Sequence, residues 1–218
     1  MTDLVFADLT RPQRYKLLTG LVTPRPIAFI TSVSDEGVVN AAPYSFFNVI
    51  GDEPPLVMVS IDRRREGADK DTGRNILARG EFVVQLVDEA LAPAMHACAM
   101  ESPPEVSEPK MVGLRLEPSL LIKTPRLADA PVAFECRLWN TFDVPGRRLV
   151  LGEVVALHAR DGLIDTANMR VDMTAHQPIG RIAGQYYVRT GDHFKLEAND
   201  YFETLARLER DGVAVTRP

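Results

Sequence analysis

The chain has 218 residues, 45% hydrophobic and 25% charged, with a formal net charge of −5. This length bounds one domain with a sizeable core, the composition is ordinary for a soluble globular protein, and the charge argues against a nucleic-acid partner. MTDLVFADL is not a signal peptide and no uncharged apolar stretch approaches membrane-spanning length, so the expectation is a cytoplasmic protein with no membrane association.

Thr10 can N-cap a helix with Arg11-Pro12 in its first turn, ending near Gly20, with Leu17, Leu18 and Leu21 toward the core. Thr23-Pro24-Arg25-Pro26 then leads into a β-rich run, Ile27–Val33. Asp35-Glu36-Gly37 reads as a hairpin turn and Val38–Ala42 as the returning strand. That strand empties into Pro43-Tyr44-Ser45-Phe46-Phe47-Asn48, where small, polar and aromatic residues replace the β-branched pattern. Rigid strands thus deliver the chain to a loop of the kind ligands use. One of the two phenylalanines is expected in the core.

Pro54-Pro55 starts a strand, Leu56–Ile61, at a position where proline is tolerated. The basic run Arg63-Arg64-Arg65 reads as a solvated loop, with a phosphate contact from one arginine as the lesser alternative. Asp71 is placed as the N-cap of a helix to about Gly80, with Ile76 and Leu77 inward. Glu81–Val87 is a strand, and Asp88 opens a second helix, Glu89 to about Met100, disturbed by Pro93. Glu101–Lys110, with three prolines, three glutamates and two serines, reads as a mobile surface loop, or less readily as a lid. Val132–Val144 and Leu149–His158 form a hairpin across Pro145-Gly146-Arg147-Arg148, and Ala198–Asp211 a terminal helix. Roughly seven to nine strands with three or four peripheral helices, not alternating, favour an antiparallel barrel over a doubly wound sheet.

Several chemistries lack their residues. G-x-G-x-x-G, the P-loop, H-E-x-x-H and G-x-S-x-G are all missing. Cys98 and Cys136 are far apart in apolar surroundings and read as small buried hydrophobes rather than metal ligands or a disulfide. His96, His158, His176 and His193 are dispersed without ligand spacing, so no metal is expected.

The pieces TPRPIAFITS, GVVNAAPYSFFN, PPLVMVSI, KDTGRNI, GEFVVQL and PIGRIAGQYY follow one another from about residue 23 to about residue 190. As an ordered set they resemble the flavin reductase-like, FMN-binding split-barrel family. The resemblance implies a mainly β fold, an antiparallel Greek-key split β-barrel with a few peripheral helices, as one domain with its core over about 20–190. It also implies one non-covalent FMN per subunit and a homodimer with the flavin near the interface. The activity implied is that of a flavin reductase or flavoredoxin: NADH, NADPH or a protein donor reduces FMN, which reduces a second acceptor. A non-catalytic protein holding flavin or another planar ligand on the same barrel is the rival. A flavin-dependent oxidase, for which His176 would be the base, is a second.

A flavin mononucleotide needs donors for its phosphate, partners for its ribityl chain and a flat wall for its ring. Lys70 supplies a charge, and Thr72 with the free amides of the helix starting there adds donors and a favourable dipole. Asp71 suits capping. Asn40, Ala41, Ala42, Pro43, Tyr44 and Ser45 suit ring and ribityl, and Ser45 and Ser60 could reach ribityl or phosphate oxygens. Arg25, stiffened between prolines, either faces the flavin or pairs with an acid. In the family the segment equivalent to Gly180–Tyr187, with Gly184, lies by the flavin. No catalytic acid or base is assigned. Members that reduce free flavin with NADH often carry Gly-Asp-His in the hairpin that here reads Pro145-Gly146-Arg147-Arg148, ahead of Gly152-Glu153-Val154. Gly191-Asp192-His193 lies past the barrel motifs. The resemblance therefore carries no NADH preference to this chain, and Arg147 and Arg148 read as solvated, with a 2′-phosphate of NADPH as the lesser alternative.

Overall fold

The structure, a computed structural model, describes residues 1–64, 66–196 and 201–212. In chain order the elements begin with α1 (Arg11–Leu21), β1 (Ala28–Val33), β2 (Val39–Tyr44), β3 (Phe47–Asp52), β4 (Pro55–Asp62), α2 (Asp71–Arg79), β5 (Glu81–Leu86) and α3 (Ala92–Ala97). They continue with α4 (Glu108–Met111), β6 (Leu116–Glu117), β7 (Arg126–Leu127), β8 (Val132–Val144), β9 (Arg147–Ala159), β10 (Ile164–Asp165) and β11 (Arg170–Val171). Last come β12 (Ile179–Arg181), β13 (Tyr187–Arg189) and α5 (Tyr201–Arg210). Residues 198–200 of the expected terminal helix lie outside the described residues.

Seven strands form one antiparallel sheet in the order β2-β1-β5-β8-β9-β4-β3. Its two outermost strands, β2 and β3, are joined by Ser45-Phe46 alone, so the sheet must curl until its edges meet at that corner. Its interior is filled by side chains that alternate inward, among them Ala28, Ile30, Phe47, Val57, Val59, Ile61, Phe82 and Val84. The expected loop at Pro43–Asn48 is therefore two strand ends and a corner. Phe47 is the buried phenylalanine, and Phe46 lies under the Arg147 guanidinium, 4.4 Å from its ring centre.

Phe29 and Ala41 point out of the barrel into a second core with Ile27, Val87, Leu91, Met95, Leu127 and Ile179. Strand β1 is thus buried on both faces along nearly its whole length, its polar Thr31 and Ser32 included. Gly152 in β9 faces the ring of Phe82, where a Cβ would lie 2.4 Å from Cζ. Both cysteines are free and buried.

The structure corrects several local readings. Thr10 does cap α1, in a reciprocal arrangement with Gln13, but Leu18 and Leu21 are 49% and 77% exposed and Leu17 is half-buried. The helix turns Thr19 inward instead, because that part of the turn feeds the Arg25 guanidinium. Lys70, not Asp71, is the N-cap of α2, which ends on Gly80 in the left-handed conformation. Ile76 is fully buried and Leu77 is 40% exposed, since one face of the helix meets β1. α3 is shorter than expected, and Asp88 caps the turn before it by accepting the Leu91 amide. The Glu101–Lys110 segment is pinned to β2. Buried Glu108 accepts from the Ala41 amide and the Ser102 hydroxyl, and Ser107 donates to the Val39 carbonyl.

Candidate functional site

A trough runs along the outer end of β2, where the strand leaves the sheet for the Ser45-Phe46 corner. Two cavities make it up and meet at Pro43, Tyr44 and Ala99. Strand β2 reaches this position because β1 pairs with its whole length, from Val33 opposite Val39 to Ala28 opposite Tyr44.

One end is built on the start of α2. Lys70 caps the helix with no side-chain hydrogen bond to its first amides, so the N–H groups of Asp71, Thr72 and Gly73 have no capping side chain. Asn40 fixes this end by donating to the Thr72 hydroxyl at 2.9 Å, and Asn75 ties the next turn to Ser32 at 3.2 Å. Lys70 lies 3.3 Å from Asp62, and Arg64 donates to Asp71 at 2.7 Å. Asp71 also receives Arg74 at 2.5 Å, so its carboxylate serves ion pairing from the first helical position. Four carboxylates, Asp62, Asp71, Glu101 and Glu108, stand near the two cations. Burial pushes the Tyr44 phenol above its ordinary range. Burial, with Glu108 beside it, pushes the Cys98 thiol up to about 12, so it stays a protonated, unreactive wall.

The other end is framed by Arg25, Ser45, Arg181, Gly184 and Tyr187. Arg25 is buried and meets no acid among the described residues. Its guanidinium donates to the carbonyls of Thr19, Val22 and Ile182, with a long contact to the Ser45 hydroxyl at 3.4 Å. One side chain thus ties the end of α1 to the β12–β13 turn, and burial holds its proton affinity below the ordinary arginine value. That turn is further bridged to Arg25 through the Arg181 backbone. Gly180 passes so close to Pro24 that a Cβ would lie 2.7 Å from the proline's own. The Gly180–Tyr187 segment therefore packs on its own chain.

Of the residues singled out in the sequence, Asn40, Ala42, Pro43, Tyr44, Lys70, Asp71 and Thr72 line the first cavity, and Arg25, Ser45 and Gly184 the second. Ala41 and Ser60 line neither. Ala41 alternates to the other face of β2, into the second core, and Ser60 is buried on β4 with its carbonyl toward Arg147. His176 borders a separate, largely apolar cavity with Phe47, Pro178 and Ile179, and burial lowers its proton affinity. Arg147 stacks on Phe46, and Arg148 is paired with Asp69 and Asp143, so neither is simply solvated. Arg63 and Arg64 are likewise paired. Among the trough residues that sequence reasoning missed are Asp62, Glu108, Arg181 and Tyr187. Glu108 had no local signal, while Arg181 and Tyr187 stood inside a quoted motif. Among the described residues, no group of histidine, cysteine and carboxylate side chains could hold a metal ion. No helix there is long and apolar enough to cross a membrane.

Comparison with known proteins places this architecture. Residues 20–176 match the model of the flavin reductase like domain. The chain superposes on a Pseudomonas fluorescens 2-nitrobenzoate 2-nitroreductase with a TM-score of 0.85 at 43% identity, covering 92% of this chain and 98% of that one. For nitrilotriacetate monooxygenase component B from Bacillus cereus the TM-score is 0.86 at 38% identity, covering 90% and 98%. A split-barrel-domain protein from Shewanella frigidimarina, at 19% identity, a TM-score of 0.77 and coverage of 88% and 96%, shows the shared fold alone. On the family match and the two more similar structures, the chain belongs to the flavin reductase-like domain family and is an oxidoreductase of that family.

Proposed function

We propose that the trough binds one FMN non-covalently and that NADH or NADPH supplies its reducing equivalents, for transfer to a second small molecule. The observation that carries this reading is the start of α2: a helix N-terminus without a side-chain cap, flanked by Lys70 and Arg64 and opening into a cleft. Free amides, a positive dipole end and two cations are what a phosphate monoester requires. The residues present therefore fit the group. Lys70, Thr72 and the amides of Asp71–Gly73 would hold the phosphate, with Asn40 orienting the Thr72 hydroxyl. Ala42 and Pro43, small and rigid, would let the ring approach the backbone, and Ser45 and Gly184 would meet it at the far end. Ala41 and Ser60 fall out of the contact set, and Arg25 becomes the strut that holds the wall. Bound FMN supplies the redox chemistry, while the protein binds, orients and shields it.

The same reading takes the chain as one domain acting as a homodimer in the cytoplasm. Exposed Tyr15, Leu18, Leu21 and Val22 at the end of α1 support an interface beside the trough. Two free, buried cysteines suit a reducing compartment. The test is titration of the apo-protein with FMN: fluorescence should quench saturably to one flavin per chain, and anaerobic NADH or NADPH should then bleach the bound flavin. Absence of saturable quenching at micromolar concentration would reject the reading.

A further inference from the structure

An acceptor that takes two electrons as a hydride is complete only when a proton follows. The ring end of the trough is lined by the ionisable side chains Tyr15, Arg25, Tyr44, Arg181 and Tyr187, and by no carboxylate or histidine. Arginine does not release its proton in a protein, which leaves the phenols. Burial pushes Tyr44 above its ordinary range, so it keeps its proton. Tyr15 is 55% exposed, and its hydroxyl bonds no other described residue, so nothing holds it toward the trough.

Tyr187 differs from both. Its hydroxyl accepts from the Arg181 guanidinium and lies 3.0 Å from His96 Nδ1. The Tyr187 and His96 rings meet edge to face at 84°, with centres 6.1 Å apart. Arg181 and Tyr187 are opposite residues of the β12–β13 pair, and His96 comes from α3. On that helix Met95 lines the trough, while His96, the next residue, is exposed and does not. Tyr187 therefore stands between the trough and an imidazole in solvent. Among the described residues no carboxylate or lysine bonds that imidazole; the groups that face it are Tyr187 and, through it, Arg181.

An arginine only donates, so its bond occupies a lone pair of the phenolic oxygen and leaves the phenol's own proton free to find a partner. Beside a neutral His96 that proton goes to Nδ1. Beside a protonated His96, Nδ1–H donates to the oxygen and the phenol's proton can point into the trough. Histidine is the side chain that exchanges protons with water near neutral pH.

We propose that Tyr187 is the proton donor of the reaction, serving the acceptor that the flavin reduces, and that His96 returns the proton to it from water. The inference rests on the FMN reading of the trough, with the ring at this end. Both electrons reach the acceptor with the hydride. The matching proton comes from the Tyr187 O–H bond, which breaks, so that acceptor, hydride and proton together make the reduced product. The Nδ1–H bond of His96 then breaks to re-form the phenol, and the imidazole regains its proton from water. Arg181 faces the oxygen on which charge develops while the proton is away.

The test compares an acceptor that needs a proton with one that does not. FMN-loaded protein is reduced anaerobically with a stoichiometric amount of dithionite. It is then mixed by stopped flow with duroquinone, which takes a hydride and a proton, or with ferricyanide, which takes single electrons and no proton. Tyr187→Phe should slow duroquinone reduction at least about 100-fold, the lower bound for general acid catalysis, and leave the ferricyanide rate within about twofold, negligible on that scale. His96→Ala should slow the duroquinone step as well, and added imidazole should restore it in proportion to its concentration. In the apo-protein, Tyr187→Phe should move the ¹⁵N signals of the His96 ring, a readout that needs no flavin. Duroquinone and ferricyanide rates that fall together would assign these residues to the fold or to flavin binding and overturn the proposal. So would an unchanged duroquinone rate, failure of imidazole to rescue, or unmoved His96 signals. If Tyr187→Phe does not fold, His96→Ala with and without imidazole still decides. Absence of saturable flavin quenching in the unaltered protein would remove the FMN reading and the relay together, whereas quenching with both acceptor rates affected alike removes the relay alone.

Discussion

Removing the Lys70 ammonium tests the polarity of the trough. A hydrogen bond to a charged group contributes about 1.5–3 kcal/mol. Lys70 does not bring its full charge: its side chain is 30% exposed and Asp62 stands 3.3 Å away. Solvent screening and that partial neutralisation put the expected loss at the lower end, about 1.5–2 kcal/mol. At 1.4 kcal/mol per decade this is an increase in Kd of about 10- to 30-fold for FMN. Riboflavin, which lacks the phosphate, should bind Lys70→Ala within about twofold of the unaltered protein, a margin well below the 10-fold step. Asp62→Asn makes the opposite change. It frees the ammonium and removes a negative charge facing the phosphate, so FMN should bind more tightly and riboflavin unchanged. Both effects should fade with added salt. The assay is flavin fluorescence quenching at two ionic strengths. Equal losses for FMN and riboflavin in Lys70→Ala would refute the reasoning, because the lysine would then serve the ring or the fold rather than the phosphate.

Gly152→Ala places a Cβ against the Phe82 ring and 3.2 Å from the Cys136 Cβ. Overpacking of that kind costs about 1–3 kcal/mol, a fall in Tm of about 2–12 °C for a chain of this size; a thermal melt by circular dichroism with no fall would contradict the packing described. Glu135 is buried, and although burial raises its carboxyl, hydrogen bonds from His158 and the Leu120 and Leu121 amides bring it net below the ordinary carboxylate value. A carboxyl depressed in the fold contributes stability that is complete above its unfolded value of about 4.3 and is lost as pH falls toward the folded one. Urea unfolding should therefore show the stability gap between the unaltered protein and Glu135→Gln shrinking from pH 6 to pH 3.5, on the scale set by the free carboxyl near 4.3; a gap that widens would reverse the assignment. Leu18→Ser with Leu21→Ser should leave the far-ultraviolet spectrum intact and reduce the mass by light scattering to that of one 24.2 kDa chain. A dimer mass in that variant would move the interface elsewhere.

How much was legible follows from how local each determinant is. Hairpin turns, the Pro54-Pro55 strand start and the Gly80 helix stop depend on a few neighbouring residues, and the strands fall where turn chemistry and alternation put them. β3 was missed because Phe47–Asp52 carries Asn48, Gly51 and Asp52, poor strand formers that are held by pairing with β4 rather than by propensity. The α1 leucines were misplaced because an apolar residue on a helix does not say which partner covers it. The α2 end of the trough was legible because lysine, threonine and a helix start are contiguous. The far end was legible only in part: Arg25, Ser45 and Gly184 were singled out, but not Arg181 and Tyr187, which a backbone bridge across the fold brings to Arg25.

The sequence by itself determined the β-rich architecture, the order of its motifs and the position of a helix start beside a lysine, since each is written in residues within a turn or two of one another. Only the tertiary structure decided that Ala41 and Ser60 face away from the trough, that Glu108 clamps a proline-rich segment onto β2, and that Arg25 spends its donors on three carbonyls. Those outcomes turn on strand parity and on pairings between residues tens of positions apart, where a shift of one residue reverses every side chain.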